Sequence, residues 1–230
     1  MPLSPSQPPL IDVSADGVAQ ITLRARGALN IVGSPELEAL TQAVHDLGGR
    51  PEVKALILRG QGDGALIGGA NLEEMVALDR VSGQAFIRRL RECCEAFRRF
   101  PTPVIARLPG WCLGGGLEVA MACDLRVAAD DAQFGMPEVK VGIPSVIHAA
   151  LMPRLIGQAR ARWLLLTGES IDAATALAWG LVDRVVPLAQ LDAAVMGLAQ
   201  SLTAMGPAVL RQQKRLLREW EDQGVDVAIN

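Results

Sequence analysis

The stretch Pro103-Val-Ile-Ala-Arg-Leu-Pro-Gly-Trp-Cys-Leu-Gly-Gly-Gly-Leu-Glu-Val-Ala-Met-Ala-Cys-Asp124 decides how this chain is read. Val104 to Leu108 has the length and apolar character of a strand, and a glycine run leads from it into a short apolar helix near Leu117 to Ala122. Gly114, Gly115 and Gly116 let backbone amides approach a ligand closely. The first amides of a helix lack intrahelical partners, and the dipole there favours negative charge. The turn is therefore suited to an anion or a developing oxyanion. A tight turn that needs small residues for packing explains three glycines equally well. Glu118 tips the balance, because a carboxylate among Leu117, Val119, Ala120 and Met121 is costly unless it is used.

Outward from this stretch, strand-like and helical runs alternate, which predicts an α/β domain. Val18 to Leu23 reads as a strand. Ser34 reads as an N-cap with Pro35 at the first helical position, and Leu37, Leu40, Val44 and Leu47 follow at helical spacing up to Gly48-Gly49. Val53 to Leu58 is almost continuously apolar, as expected of a strand buried on both faces. Phe86, Leu90, Cys94 and Phe97 mark one face of a helix, and Leu125 to Ala128 is again strand-like. From Ala159 the chain reads mostly helical, with a break at Gly180, a short strand at Val182 to Val186, and two last helices after Pro187.

Two further segments bear on chemistry. In Phe134-Gly-Met-Pro-Glu138 the proline fixes the backbone before an acid with apolar neighbours. Alone, Glu138 is an ordinary loop acid. Facing Glu118, it would complete a pair whose environments divide acid and base roles. Gly68-Gly-Ala-Asn-Leu72 also runs from loop into helix and offers another backbone donor. Gly60-Gln-Gly-Asp-Gly64 has the look of a dinucleotide turn, but it lacks the third glycine and no helix starts there. Arg88, Arg89, Arg91, Arg98 and Arg99 form a basic helix surface that Glu92 and Glu95 interrupt, which reads as a solvated face.

Composition narrows the function. The chain has 230 residues, half of them apolar, and a formal charge of −3. With no Tyr and no basic excess, nucleic acid is not an expected partner. Neither a signal-peptide pattern nor an apolar run of membrane-spanning length is present, so a cytoplasmic protein without a membrane role is expected. Cys93, Cys94, Cys112 and Cys123 form no Cys-x-x-Cys pair, and His45 and His148 are the only histidines, so no metal site is expected. Small buried cysteines in a reducing compartment are a better reading than a Cys–His nucleophile.

The run from Pro103 to Asp124 resembles the crotonase (enoyl-CoA hydratase/isomerase) signature. Ala132-Gln-Phe-Gly-Met-Pro-Glu138 continues it with the family spacing between the two glutamates, and Leu166 to Val182 is similar to a later helix–turn segment. The likeness covers roughly residues 10 to 220. It implies a crotonase-type ββα spiral core over residues 11–190, after a flexible segment at 1–10 and before a C-terminal helical region at 191–230. It implies a homotrimer or a dimer of trimers. It implies an acyl-coenzyme A substrate, with coenzyme A present only as part of that substrate and no other cofactor. By motif match the amides of Ala70 and Gly115 hold the thioester carbonyl, with Gly68, Leu72 and Gly114 around them. Ala28 and Leu29 fall where the family lines the coenzyme A tail. The match to Glu118 activates water, and the match to Glu138 gives a proton to the α-carbon. Having both favours hydration over double-bond migration and counts against a scaffold role, while dehydration of a polar acyl group and thioester hydrolysis stay as alternative reactions.

Three departures stand out. Asn71 replaces the usual Asp. Pro144-Ser-Val-Ile-His-Ala149 replaces a glycine-rich run beside the acyl site. Family members usually continue well beyond the position of Asn230. In the second departure, Val146 and Ile147 are expected to fill volume. Ser145 and His148 are expected among the substrate-binding residues, His148 either as a polar contact to the acyl chain or, more blandly, as a helix-start residue packed near Pro153 and bonded to backbone.

Overall fold

The computed structural model describes residues 6–223. Strands β1 (Gln7–Val13), β2 (Val18–Arg24), β3 (Ala55–Gly60), β5 (Val104–Leu108), β7 (Leu125–Ala129) and β10 (Arg184–Val186) form one sheet in that order. Strands β4 (Ala65–Ile67), β6 (Trp111–Leu113), β8 (Gln133–Gly135) and β9 (Ser170–Asp172) form a second. Each of the pairs β3–β4, β5–β6 and β7–β8 gives one strand to each sheet before the chain turns helical. The result is a stack of ββα turns, parallel apart from β1 against β2 and β9 against β8.

Helices α1 (Ser34–Gly48), α2 (Leu72–Ala77), α3 (Arg80–Arg99), α4 (Gly115–Ala122), α5 (Met152–Ile156), α6 (Gln158–Thr167) and α7 (Ala173–Trp179) follow the turns, and α8 (Leu191–Thr203) and α9 (Pro207–Asp222) close the described chain. Two short 3-10 turns, Pro137–Val141 and His148–Leu151, bear on the site. Among the described residues no single helix is long and apolar enough to cross a membrane.

Alternation along β3 explains its continuous apolar character. Leu56 and Leu58 join the main core with Leu37, Leu40, Phe86, Phe97 and Leu117. Ala55 and Ile57 face the other way and pack with Ile105 and Val127 against Leu191, Val195 and Ala199 of α8. Burying each large side chain contributes about 1.5–3 kcal/mol, so both faces of this sheet hold the fold. On α3, Phe86, Leu90, Cys93, Cys94 and Phe97 are buried, following the helical stripe read in the sequence. Lys214 of α9 is buried and donates to the carbonyls of Phe97 and Thr102, both at 3.1 Å, while pairing with Asp124 at 2.7 Å.

Several expectations need correction. The N-terminal segment orders earlier than residue 10, because β1 starts at Gln7 as an edge strand and Arg24 donates twice to the Pro8 carbonyl. The remaining start, residues 1–5, and the end of the C-terminal region, 224–230, lie outside the described residues. The cap of α1 is Gly33, not Ser34: the Glu36 carboxylate reaches back to the Gly33 amide at 2.7 Å. Ser34 gives its amide and hydroxyl to Glu74 of α2, an anion at the positive end of α1. The Gly60–Gly64 turn joins β3 to β4 and starts no helix.

Candidate active site

One cavity of about 480 Å³ takes its lining from five stretches of the chain: residues 31–37, 68–75, 86–90, 113–118 and 137–147. The β4–α2 and β6–α4 connections meet because Gly116 packs on the backbone of Ile67, where a Cβ would collide with that carbonyl oxygen. Gly114 has φ of 55°, a left-handed turn that points the chain into α4. Its open side is taken by Glu138, whose Oε1 would lie 2.5 Å from any Cβ at Gly114.

Gly68, Ala70, Leu72, Gly114, Gly115, Glu118, Glu138 and Ser145 all line this cavity. The amides of Ala70 and Gly115 donate to no other group among the described residues. Two unspent donors thus belong to residues that line one cavity, and a carbonyl oxygen gaining negative charge requires such donors. Asn71 caps α2, its side-chain oxygen accepting from the Glu73 amide at 3.1 Å. An Asp would cap equally well there, so the departure from the family pattern costs the helix nothing.

Glu118 is 3% exposed, and the Ala149 amide donates to its Oε1 at 2.7 Å. Burial pushes its carboxyl up to about 7, the nearby Glu138 adds to the rise, and the Ala149 amide opposes it. Glu138 stands on the 3-10 turn after β8, half-buried, with the Ser145 hydroxyl donating to Oε2 at 3.2 Å. Burial raises Glu138 too, and the Ser145 hydrogen bond offsets part of the rise. Both acids line one apolar cavity, and burial raises each above the ordinary carboxylate range.

Ala28 and Leu29 do not line the cavity; they are exposed beside Gly64 and Gly68. His148 is the clear correction. It is 7% exposed and turned away from the cavity, its Nε2 lying 2.9 Å from Oε1 of Glu95 on α3. It contacts neither acyl space nor backbone through its ring. Its neighbours Val146 and Ile147 do line the cavity. All four cysteines are buried, which raises every thiol, Cys93 and Cys123 to about 12, so none supplies a thiolate. Glu95 is the participant that the sequence reading passed over. Its only signal was an acid set among arginines. Among the described residues, no three His, Cys, Asp or Glu side chains cluster as a metal site would require.

Comparison with known proteins places this geometry. Residues 14–226 match the family model described as enoyl-CoA hydratase/isomerase. The chain is 32% identical over 213 residues to a short-chain-enoyl-CoA hydratase of Clostridium acetobutylicum, covering 92% of this chain and 82% of that protein. It is 33% identical over 204 residues to a crotonyl-CoA hydratase of Syntrophomonas wolfei, covering 88% and 78%. A crystal structure of an enoyl-CoA hydratase from Bacillus anthracis superposes with a TM-score of 0.93 at 29% identity, covering 97% of this chain and 87% of that one.

Proposed function

The chain belongs to the enoyl-CoA hydratase/isomerase family, and from that premise we propose that it adds water across the double bond of a 2-enoyl-CoA thioester with Glu118 and Glu138 as the acid–base pair. The observation that carries this reading is the pair itself: two carboxyls raised toward neutrality in one cavity that also presents the free amides of Ala70 and Gly115. The thioester oxygen accepts from the two amides, so charge that builds on it during addition meets fixed donors. Glu118 draws a proton from water as the oxygen bonds to the β-carbon. Glu138 gives a proton to the α-carbon, and a proton exchanged with solvent resets the pair. Ala28 and Leu29, exposed outside the cavity, border the coenzyme A tail. Amides and carboxyls supply the polarisation and the proton transfers, so the reaction needs no metal and no cofactor beyond the coenzyme A of the substrate.

A homotrimer or a dimer of trimers in the cytoplasm is part of the same reading. Exposed apolar residues such as Val76, Trp163 and Leu166 support an assembly, and light scattering of the purified chain measures it. The decisive assay follows the conjugated thioester absorbance of crotonyl-CoA and its longer homologues. Loss of that absorbance with formation of a 3-hydroxyacyl-CoA is the expected result. A chain that binds butyryl-CoA without hydrating any enoyl-CoA would be a binding scaffold instead.

A further inference from the structure

The segment Pro144 to Ala149 touches both carboxylates. Ser145 donates to Glu138 through its hydroxyl, and Ala149 donates to Glu118 through its amide. Between them, Val146 is exposed and Ile147 half-buried. A short irregular segment holds two such contacts in place only if it is itself fixed. Its one buried polar side chain is His148, and that side chain is spent on Glu95, which lies on a different element.

Glu95 is a firm partner. Arg98 donates to the same Oε1 at 3.0 Å, and Arg99 donates to Oε2 at 2.9 Å. Arg98 in turn reaches Asp222 at 2.9 Å and Glu221 at 3.3 Å at the end of α9. Burial by itself would raise Glu95, but the hydrogen bonds from His148 and Arg98 outweigh it and hold the carboxyl at about 2. Glu95 is therefore an ionised acceptor at working pH. It fixes the tautomer: Nε2 carries the hydrogen, and the buried Nδ1 has no partner among the described residues. A proton added at Nδ1 would be a buried donor without an acceptor, so the ring stays neutral.

We propose that His148 is a positioning residue for the acid–base pair: its Nε2–H···Glu95 hydrogen bond pins residues 144–149 to α3 so that Ser145 and the Ala149 amide hold the two glutamates in register. This inference rests on the hydratase reading for its kinetic consequence, but its structural part stands apart from it. His148 touches no cavity space, so its loss acts through the segment and not through substrate contact.

The test combines kinetics with amide hydrogen exchange. His148→Ala is expected to lower kcat about 10–100-fold while KM for crotonyl-CoA changes less than about threefold, the pattern of displaced catalytic groups with binding retained. His148→Gln, which keeps a donor at the Nε2 position, restores most of the rate, whereas His148→Asn does not. Glu95→Ala, which removes the acceptor, costs as much as His148→Ala, and the double variant costs no more than either. Independently of turnover, exchange at the Ala149 amide speeds up about tenfold or more in His148→Ala, while amides of β5 keep their protection. Unchanged kcat in His148→Ala overturns the proposal. So does a rise in KM at constant kcat, which would make His148 a substrate contact. If His148→Ala fails to fold, the Gln and Asn pair and Glu95→Ala decide by the same criteria. If the unmodified chain hydrates no enoyl-CoA yet Ala149 exchange responds as described, the hydratase reading falls and the tether stands.

Discussion

Glu118 and Glu138 carry the same functional group on two different supports. Glu118 stands in the first turn of a helix whose other residues are almost all buried, 3% exposed, with its carboxylate received by a backbone amide. Glu138 stands on a single 3-10 turn, ahead of exposed Val139 and Val141, and is held by a serine hydroxyl. The first support is rigid and dry, and burial brings its carboxyl to about 7. The second is half open, and its rise is partly cancelled by Ser145.

The largest effect that breaks this pairing is removal of either acid. Glu118→Gln and Glu138→Gln should each lower kcat about 10²–10⁴-fold. The double variant should lose less than the product, because both groups serve one reaction. Stopped assays on enoyl-CoA measure all three, and full activity in Glu118→Gln would remove it from the mechanism. Gly115→Val comes next. Its Cβ would lie 2.8 Å from Leu90 Cδ2, pressing that side chain toward the thioester. Activity should drop about 10²–10³-fold, the usual worth of an oxyanion donor, while gel filtration shows the assembly unchanged. An active Gly115→Val enzyme would place the carbonyl elsewhere.

The rigid support has a stability cost. Glu118 titrates at about 7 in the folded chain against an ordinary 4.5. The folded state holds the proton more tightly, so this group favours folding below about pH 4.5, and the benefit fades as the pH rises through 7. Glu118→Gln abolishes that loss. It should stabilise the chain by up to about 3 kcal/mol above pH 7 and by almost nothing near pH 4.5. Thermal unfolding at pH 5 and pH 8 reads the difference, and an equal Tm change at both would show that the buried carboxyl is not titrating as described. The smallest effect sharpens the other side. Ser145→Ala removes one hydrogen bond to a carboxylate, worth about two- to tenfold in rate. It also lets Glu138 rise further, so the alkaline limb of the kcat profile should move to higher pH. A limb that stays in place would detach Ser145 from Glu138.

Much of this was legible because the signals are local. Strand β5 was read at Val104 to Leu108, and the apolar helix after the glycines was placed to within two residues. Glu118 announced itself by its apolar neighbours. The unread parts depend on pairings across the chain. Glu95 and His148 are 53 residues apart, and nothing near either names the other. The basic face on α3 was read as solvated, which holds for exposed Arg88, Arg91 and Arg99. Arg98 differs, because its partners Glu221 and Asp222 arrive from α9. Likewise Glu74 caps α1 from a distance of 40 residues, and no periodicity encodes that.

In the proposed mechanism Ala70, Gly115 and Ala149 serve the site through their backbones, and that bears on how such a protein drifts under mutation. Of the single-base changes open to an alanine codon, only the one to proline deletes the donor. A saturation library would therefore show Ala70 and Ala149 tolerating small replacements and rejecting proline, while Glu118 tolerates almost nothing. Half of the chemistry would be invisible to a scan that scores side-chain identity, and it would surface only as a column of lethal prolines.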